Sequence, residues 1–242
     1  MRRGVLFCFL GILLISYAGA AKKIYAAYYD ISGPQDVEVT VMNLGTESAS
    51  YVLNIYDARG ERIFSVVERL PAGGASFCRL SDEIEKDVEH WGLLTVETAD
   101  GNFLSLGLEY YTDGTLISVD NIFEPVPRIQ LRRVYWYCIY YVNVGVANTG
   151  LVLMNPWWGN TTVRIYVRKQ NGELLYTKEI ELSSHDAYFL NLEECIDHAG
   201  TFWGVIDVKA ENPIALACEY YDRMGSELEI DNVVDYYAVQ LD

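Results

Sequence analysis

Two glutamates, each followed by paired tyrosines, are the residues of this sequence best suited to acid–base chemistry: Glu109-Tyr110-Tyr111 and Glu219-Tyr220-Tyr221. Hydrolysis of a glycosidic bond needs two carboxyl groups about 5 to 10 Å apart, one to protonate the leaving oxygen and one to attack or to activate water. The neighbouring residues point elsewhere. In Leu104-x-Leu106-x-Leu108-x-Tyr110 and Ile214-x-Leu216-x-Cys218-x-Tyr220 the alternate residues form an apolar face, which puts both glutamates on the opposite, wetter side of a strand. The three histidines, His90, His185 and His198, are scattered, and no G-x-S-x-G, H-E-x-x-H, Walker or dinucleotide-binding glycine pattern is present. No catalytic residue is expected, and a carboxylate-dependent glycoside hydrolase is the less favoured alternative.

Ligand-binding chemistry has a better candidate. Trp157-Trp158 lies in a turn after Asn155-Pro156, and adjacent residues of an extended segment point to opposite sides, so one indole can face solvent and stack on a sugar ring or pack against neighbouring protein. Asp120-Asn121 and Asp231-Asn232, with Asp113 or Asp222, carry oxygens of the kind calcium takes. No D-x-D-x-D-G loop accompanies them, and Asx side chains near strand ends usually satisfy local backbone groups, so no metal and no cofactor is assigned.

These residues sit in a chain that matches itself at an offset of 112. Tyr28-Tyr29 falls on Tyr140-Tyr141, Met42-Asn43 on Met154-Asn155, Gly60-Glu61 on Gly172-Glu173, Phe77 on Phe189 and Trp91-Gly92 on Trp203-Gly204. A two-residue deletion then aligns the two Glu-Tyr-Tyr triplets, and Ile129-Gln130-Leu131 meets Val239-Gln240-Leu241. So many ordered matches, several of them Trp or Tyr, indicate two repeats, 24–131 and 134–241, with only Arg132 and Arg133 between them. Within each, β-branched and aromatic residues alternate with period two between Gly, Asn and Asp turns. Strands are expected at 24–29, 37–43, 51–57, 63–69, 75–80, 93–98, 103–111 and 116–123, and a short helical turn near Ser81-Asp82-Glu83, where Ser81 can serve as N-cap. The fold class expected is all-β: two tandem immunoglobulin-like antiparallel β-sandwich domains, each with one short helical turn, a small barrel being the alternative. Trp91 and Trp203 are expected in the cores, pinning the two sheets together.

The N-terminus reads as a signal peptide over residues 1–20: Met1-Arg2-Arg3, an apolar run from Val5 to Ile15, and Ala18-Gly19-Ala20 as the cleavage site. Secretion to the cell surface, extracellular medium or periplasm is expected, with no membrane insertion after cleavage. Taking Arg2 and Arg3 from the 18 basic residues leaves 16 against 34 acidic ones, a net charge of −18, which repels phosphate backbones and excludes nucleic acid as a natural partner. Cys78, Cys138, Cys195 and Cys218 align with Leu190, Ala26, Glu83 and Leu108, so most replace apolar residues and are expected as core thiols. A disulfide among Cys138, Cys195 and Cys218 stays open.

The pattern of Tyr140-Tyr141, Leu153-Met154-Asn155-Pro156, Asn171-Gly172-Glu173, Phe189-Leu190-Asn191-Leu192 and Trp203-Gly204 resembles a repeat that recurs in secreted and surface proteins of prokaryotes; the first repeat departs from it where Leu44 replaces the proline. The resemblance implies an extracellular β-sandwich scaffold and no settled activity. The function expected is non-catalytic: binding, adhesion or surface assembly with a protein or glycan, including self-association through edge strands. Carbohydrate binding through Trp157 and Trp158 is the alternative.

Overall fold

The computed structural model describes residues 22–85, 90–131, 133–143, 147–196, 202–222, 227–233 and 236–240. The signal-peptide segment and His198 lie outside them. The first half carries β1 (Lys22–Asp30), β2 (Gln35–Asn43), β3 (Ala49–Asp57), β4 (Arg62–Leu70), β5 (Ala75–Arg79), α1 (Leu80–Glu83), β6 (Trp91–Ala99), β7 (Leu104–Thr112) and β8 (Thr115–Ile122). The second half carries β9 (Arg133–Asn143), β10 (Ala147–Met154), β11 (Thr161–Lys169), β12 (Leu174–Leu182), β13 (Ala187–Asn191), α2 (Leu192–Cys195), β14 (Phe202–Ala210), β15 (Ala215–Asp222), β16 (Glu227–Val233) and β17 (Tyr237–Gln240). The protein is all-β, and every strand pairing is antiparallel.

Each half is a pair of packed sheets. In the first, sheet β1-β6-β3-β4 faces sheet β5-β2-β7-β8; in the second, β12-β11-β14-β9-β17 faces β13-β10-β15-β16. The period-two pattern produces this directly, because alternate residues of facing strands meet in one dry layer. Tyr25, Leu53, Ile55 and Val96 meet Val39, Leu106 and Leu108 in the first sandwich; Tyr137, Ile139, Ile165 and Val208 meet Leu151, Leu153, Leu216 and Cys218 in the second.

The Met-Asn element shared by both halves has a structural reason. Asn43 is buried and its Nδ2 donates to the carbonyls of Glu47, Leu70 and Pro71, while its Oδ1 accepts from Gly45 N. Asn155 does the same with Gly159, Leu182, Ser183 and Trp157 N. One side chain thus satisfies the backbone of two adjacent loops, and this works with Leu44 as well as with Pro156 at the next position.

The short helices are capped differently from expectation. α1 begins one residue before Ser81, and its N-terminal end is held from β2: Asp36 accepts from Ser81 N at 3.2 Å and from Ser81 Oγ at 2.6 Å. In α2 the side chain of Asn191 is the cap, accepting from Glu193 N.

The largest departure from the sequence reading is how the halves meet. The outward face of β1-β6-β3 is not wet: Ala26, Tyr28, Leu93, Thr95, Asn54 and Tyr56 on it are all buried. It packs on the outward face of β13-β10-β15, whose Phe189, Val152, Met154, Ala215 and Ala217 belong to the same apolar cluster as the first sandwich's own core. The result is a four-layer stack with these two sheets in the middle. At the β1 edge, β16 runs beside β8: Asn232 accepts from Tyr28 N and donates to Tyr110 Oη, and Ser118 Oγ donates to Ile230 O. At the far end, Ala187 N donates to Ala58 O, and the His185 ring stacks on Tyr56 at 4.1 Å.

Candidate binding face

The stack buries the outward face of one sheet from each half and leaves two faces that no other described element covers. In the second sandwich the free one is the outward side of β12-β11-β14-β9. On it, burial alternates as the sequence pattern demands: Tyr135, Tyr137, Ile139 and Tyr141 point inward, and Trp136, Cys138 and Tyr140 point out. Neighbouring strands add Thr162, Arg164, Tyr166 and Arg168 from β11 and Trp203, Asp207 and Lys209 from β14, brought beside the β9 residues by antiparallel register.

Charge and aromatic rings are interleaved here. Lys209 Nζ lies 4.6 Å from the Trp136 ring and 5.5 Å from that of Tyr166, and Arg168 stands 5.9 Å from Tyr166. Arg164 pairs with Glu179 at 2.5 Å and Arg168 with Asp207 at 3.1 Å, so these cations are oriented as well as attracted. Between them opens a cleft of about 330 Å³, lined by Trp136, Tyr166, Ala210, Arg164, Lys209 and Glu211 among others. Aromatic rings beside polar groups in a cleft bind planar or ring-shaped surfaces with defined orientation.

Other candidates fall in other places. Trp157 is half-buried, its Nε1 donating to Pro213 O at 2.9 Å, so it closes a loop. Trp158 is 82% exposed and sits edge-on to His185 at 4.6 Å, beside the junction of the two sandwiches. The pair does not converge on one site. Trp91 and Trp203 are not core residues. Each lies on the outward side of its strand, Trp91 against Tyr28 and Phe189 at 6.5 and 6.3 Å, Trp203 45% exposed and 6.3 Å from Tyr140. The reason is alternation: Leu94 and Ile206 take the inward positions, and the glycines beside the tryptophans let the next strand's backbone approach.

The two glutamates are separated by whole layers. Glu109 lies on the free face of the first sandwich, where its Oε2 accepts from Tyr111 Oη, whereas Glu219 is buried to 6% exposure between the sandwiches. Glu219 is therefore not on a wet face, because that face is covered by the first sandwich. Asp120 accepts from Asn232 N at 2.7 Å, so it acts in the junction, and burial followed by the nearby Asp120 raises the pKa of Asp231. Among the described residues no group of three or more His, Cys, Asp or Glu is placed to hold a metal ion.

The four described cysteines are unpaired. Cys218 is a core thiol, pushed up to about 12 by burial, and Cys78 and Cys195 are half-buried. Cys138 departs from expectation: it is exposed on the free face, although its counterpart Ala26 is buried at the junction. Period-two alternation separates the two sides of each strand, but nothing in it says which outward faces another layer covers.

No family model matches the chain, and no curated protein matches it by sequence. Among solved structures, a β-glucuronidase from glycoside hydrolase family 2 is 8% identical over 92% of this chain and 24% of its own, with a TM-score of 0.20. The Pleurotus ostreatus lectin is 12% identical over 91% of this chain and 78% of its own, TM-score 0.25, and the PBSX exported protein XepA 10% identical over 79% and 82%, TM-score 0.27. The chain spans about a quarter of the length of the glucuronidase. No helix among the described residues is long and apolar enough to cross a membrane. At such low scores these likenesses carry no argument about what this chain does.

Proposed function

We propose that this is a secreted, non-catalytic protein of two tandem β-sandwich repeats that acts by binding a macromolecule, and that the outward face of β12-β11-β14-β9 is its binding surface. The observation that carries this reading is the outward side of these strands, where Trp136, Tyr140 and Trp203 are exposed and Trp136, half-buried Tyr166 and Lys209 line a cleft of about 330 Å³. Rigid strands hold these rings in fixed positions, so little side-chain entropy is lost on binding. Large exposed aromatic groups ringed by polar residues mark interaction surfaces. The same cleft supports glycan recognition as a second reading, because indole and phenol rings flanked by Arg164, Lys209 and Glu211 suit a sugar ring and its hydroxyls. Glu109 and Glu219, lying in different layers, leave a two-carboxylate hydrolysis without its pair.

The test is a Trp136→Ala/Tyr166→Ala variant of the mature chain, compared with wild type by affinity electrophoresis in a polysaccharide panel and by sedimentation velocity. Macromolecular association of the wild type is expected to weaken at least tenfold in the variant, with its melting temperature unchanged within a few degrees. Association of undiminished strength would contradict the reading. So would hydrolysis of a glycoside that disappears in Glu109→Gln or Glu219→Gln.

A further inference from the structure

We infer that the partner of this face is a second copy of the chain, added head to tail, with the free face of one molecule's first sandwich seated on the free face of the next molecule's second sandwich. This rests on the binding-face reading above and names the occupant.

The internal junction supplies the template. It joins the outward face of β1-β6-β3 to the outward face of β13-β10-β15, which are different surfaces, so the contact is heterologous and leaves one unused face of each kind at the two ends of the stack. The unused faces carry the same contact residues at the sequence offset that relates the halves. Phe189, half-buried against Trp91, corresponds to Phe77, which is 75% exposed. Its receiving pair Tyr28–Trp91, 6.5 Å apart, corresponds to Tyr140–Trp203, 6.3 Å apart and exposed. Met154 and Ala187 correspond to Met42 and Ala75, and Asn232, which anchors the junction, to Asn121. Even the tyrosine that positions the receiving strand is repeated: Tyr110 Oη donates to Tyr28 O, and Tyr220 Oη to Tyr140 O.

Where the free faces differ from the junction, they differ in charge. Glu38 stands on the first sandwich's face in place of Gly150, opposite Arg79, and Arg164 and Lys209 stand on the second's in place of Val52 and Glu97, Arg164 paired with Glu179. Ala26, Asn54 and Thr95 of the junction give way to Cys138, Tyr166 and Asp207. The intermolecular contact is therefore more polar than the internal one, as suits an interface that must be soluble before it forms. Edge pairing competes poorly with this: β5 and β13 are only five residues long, while β4 carries Arg62, Glu68 and Arg69 and β12 carries Lys178, Glu179 and Glu181.

Two single variants test the polarity of the assembly. Phe77→Arg disables the first-sandwich face and leaves the other intact; Trp203→Glu does the reverse. In sedimentation velocity over a concentration series, wild type is expected to form dimers and longer species, and each variant alone to associate at least tenfold more weakly. An equimolar mixture of the two variants is expected to regain dimers, because each supplies the face the other lacks, and to stop there. Wild type that stays monomeric throughout, or variants that associate as well as wild type, would overturn the inference, and so would a mixture no more associated than its components. Phe77→Arg also separates the two claims: it lies far from the Trp136 cleft, so polysaccharide retention that survives in Phe77→Arg beside a strictly monomeric wild type would uphold the binding face and reject a second copy as its occupant. Circular dichroism and thermal melting of each variant check that both still fold.

Discussion

At the scale of single residues, the buried asparagines and His185 do most to fix the backbone around the junction and its loops. Truncating Asn155 to Ala leaves three loop carbonyls and Trp157 N without their partner, and is expected to cost about 2–4 kcal/mol, measured by urea unfolding. His185 is buried against Tyr56 and its pKa is lowered, chiefly by that burial. A depressed folded pKa means that the neutral ring's contribution is complete above the ordinary imidazole value and is lost as pH falls through the folded one. Thermal stability is therefore expected to drop on acidification below about pH 6.5, and His185→Asn, which tolerates the left-handed backbone there, to show a smaller drop over the same range. The Met-Asn motif was legible as a shared feature but not as a loop plug, because its partners lie 27 and 28 residues away in sequence.

At the scale of elements, the strands are where period-two patterning, β-branched runs and turn residues place them. Expected bounds of 51–57 and 93–98 compare with Ala49–Asp57 and Trp91–Ala99. The Asp113-Gly114 hairpin takes positive φ at both residues, 49° and 73°. Alternation of Leu53 and Ile55 with Asn54 and Tyr56 suggests a wet side of β3, and the structure covers it. Asn54 and Tyr56 are as buried as Leu53 and Ile55, since alternation tells the two sides of a strand apart without telling what covers each. The β3–β4 turn shows the same limit. Gly60 reads as an ordinary turn glycine, with φ of 79°, yet a Cβ there would collide with the Ser184 carbonyl across the junction. Gly60→Ala is expected to destabilise the protein, in chemical denaturation, by more than the roughly 1–3 kcal/mol that left-handed backbone strain alone costs at a solvent-facing turn.

At the scale of the whole molecule, one apolar cluster runs from the first sandwich into the second sheet of the other, so the halves are expected to unfold together. Ala217→Glu, which places a charge in that shared layer, is expected to split one calorimetric transition into two. The same junction explains why the two halves' counterpart residues have different environments: Ala26 is covered and Cys138 is not. In the head-to-tail assembly inferred above, the face bearing Cys138 is covered by another molecule of the same kind. The most direct measurement is the rate of maleimide labelling of Cys138 in the wild-type protein, read by peptide mass spectrometry over a range of protein concentrations. The rate is expected to fall at least tenfold as concentration rises, while that of half-buried Cys78 stays constant; a Cys138 rate independent of concentration would contradict the claim.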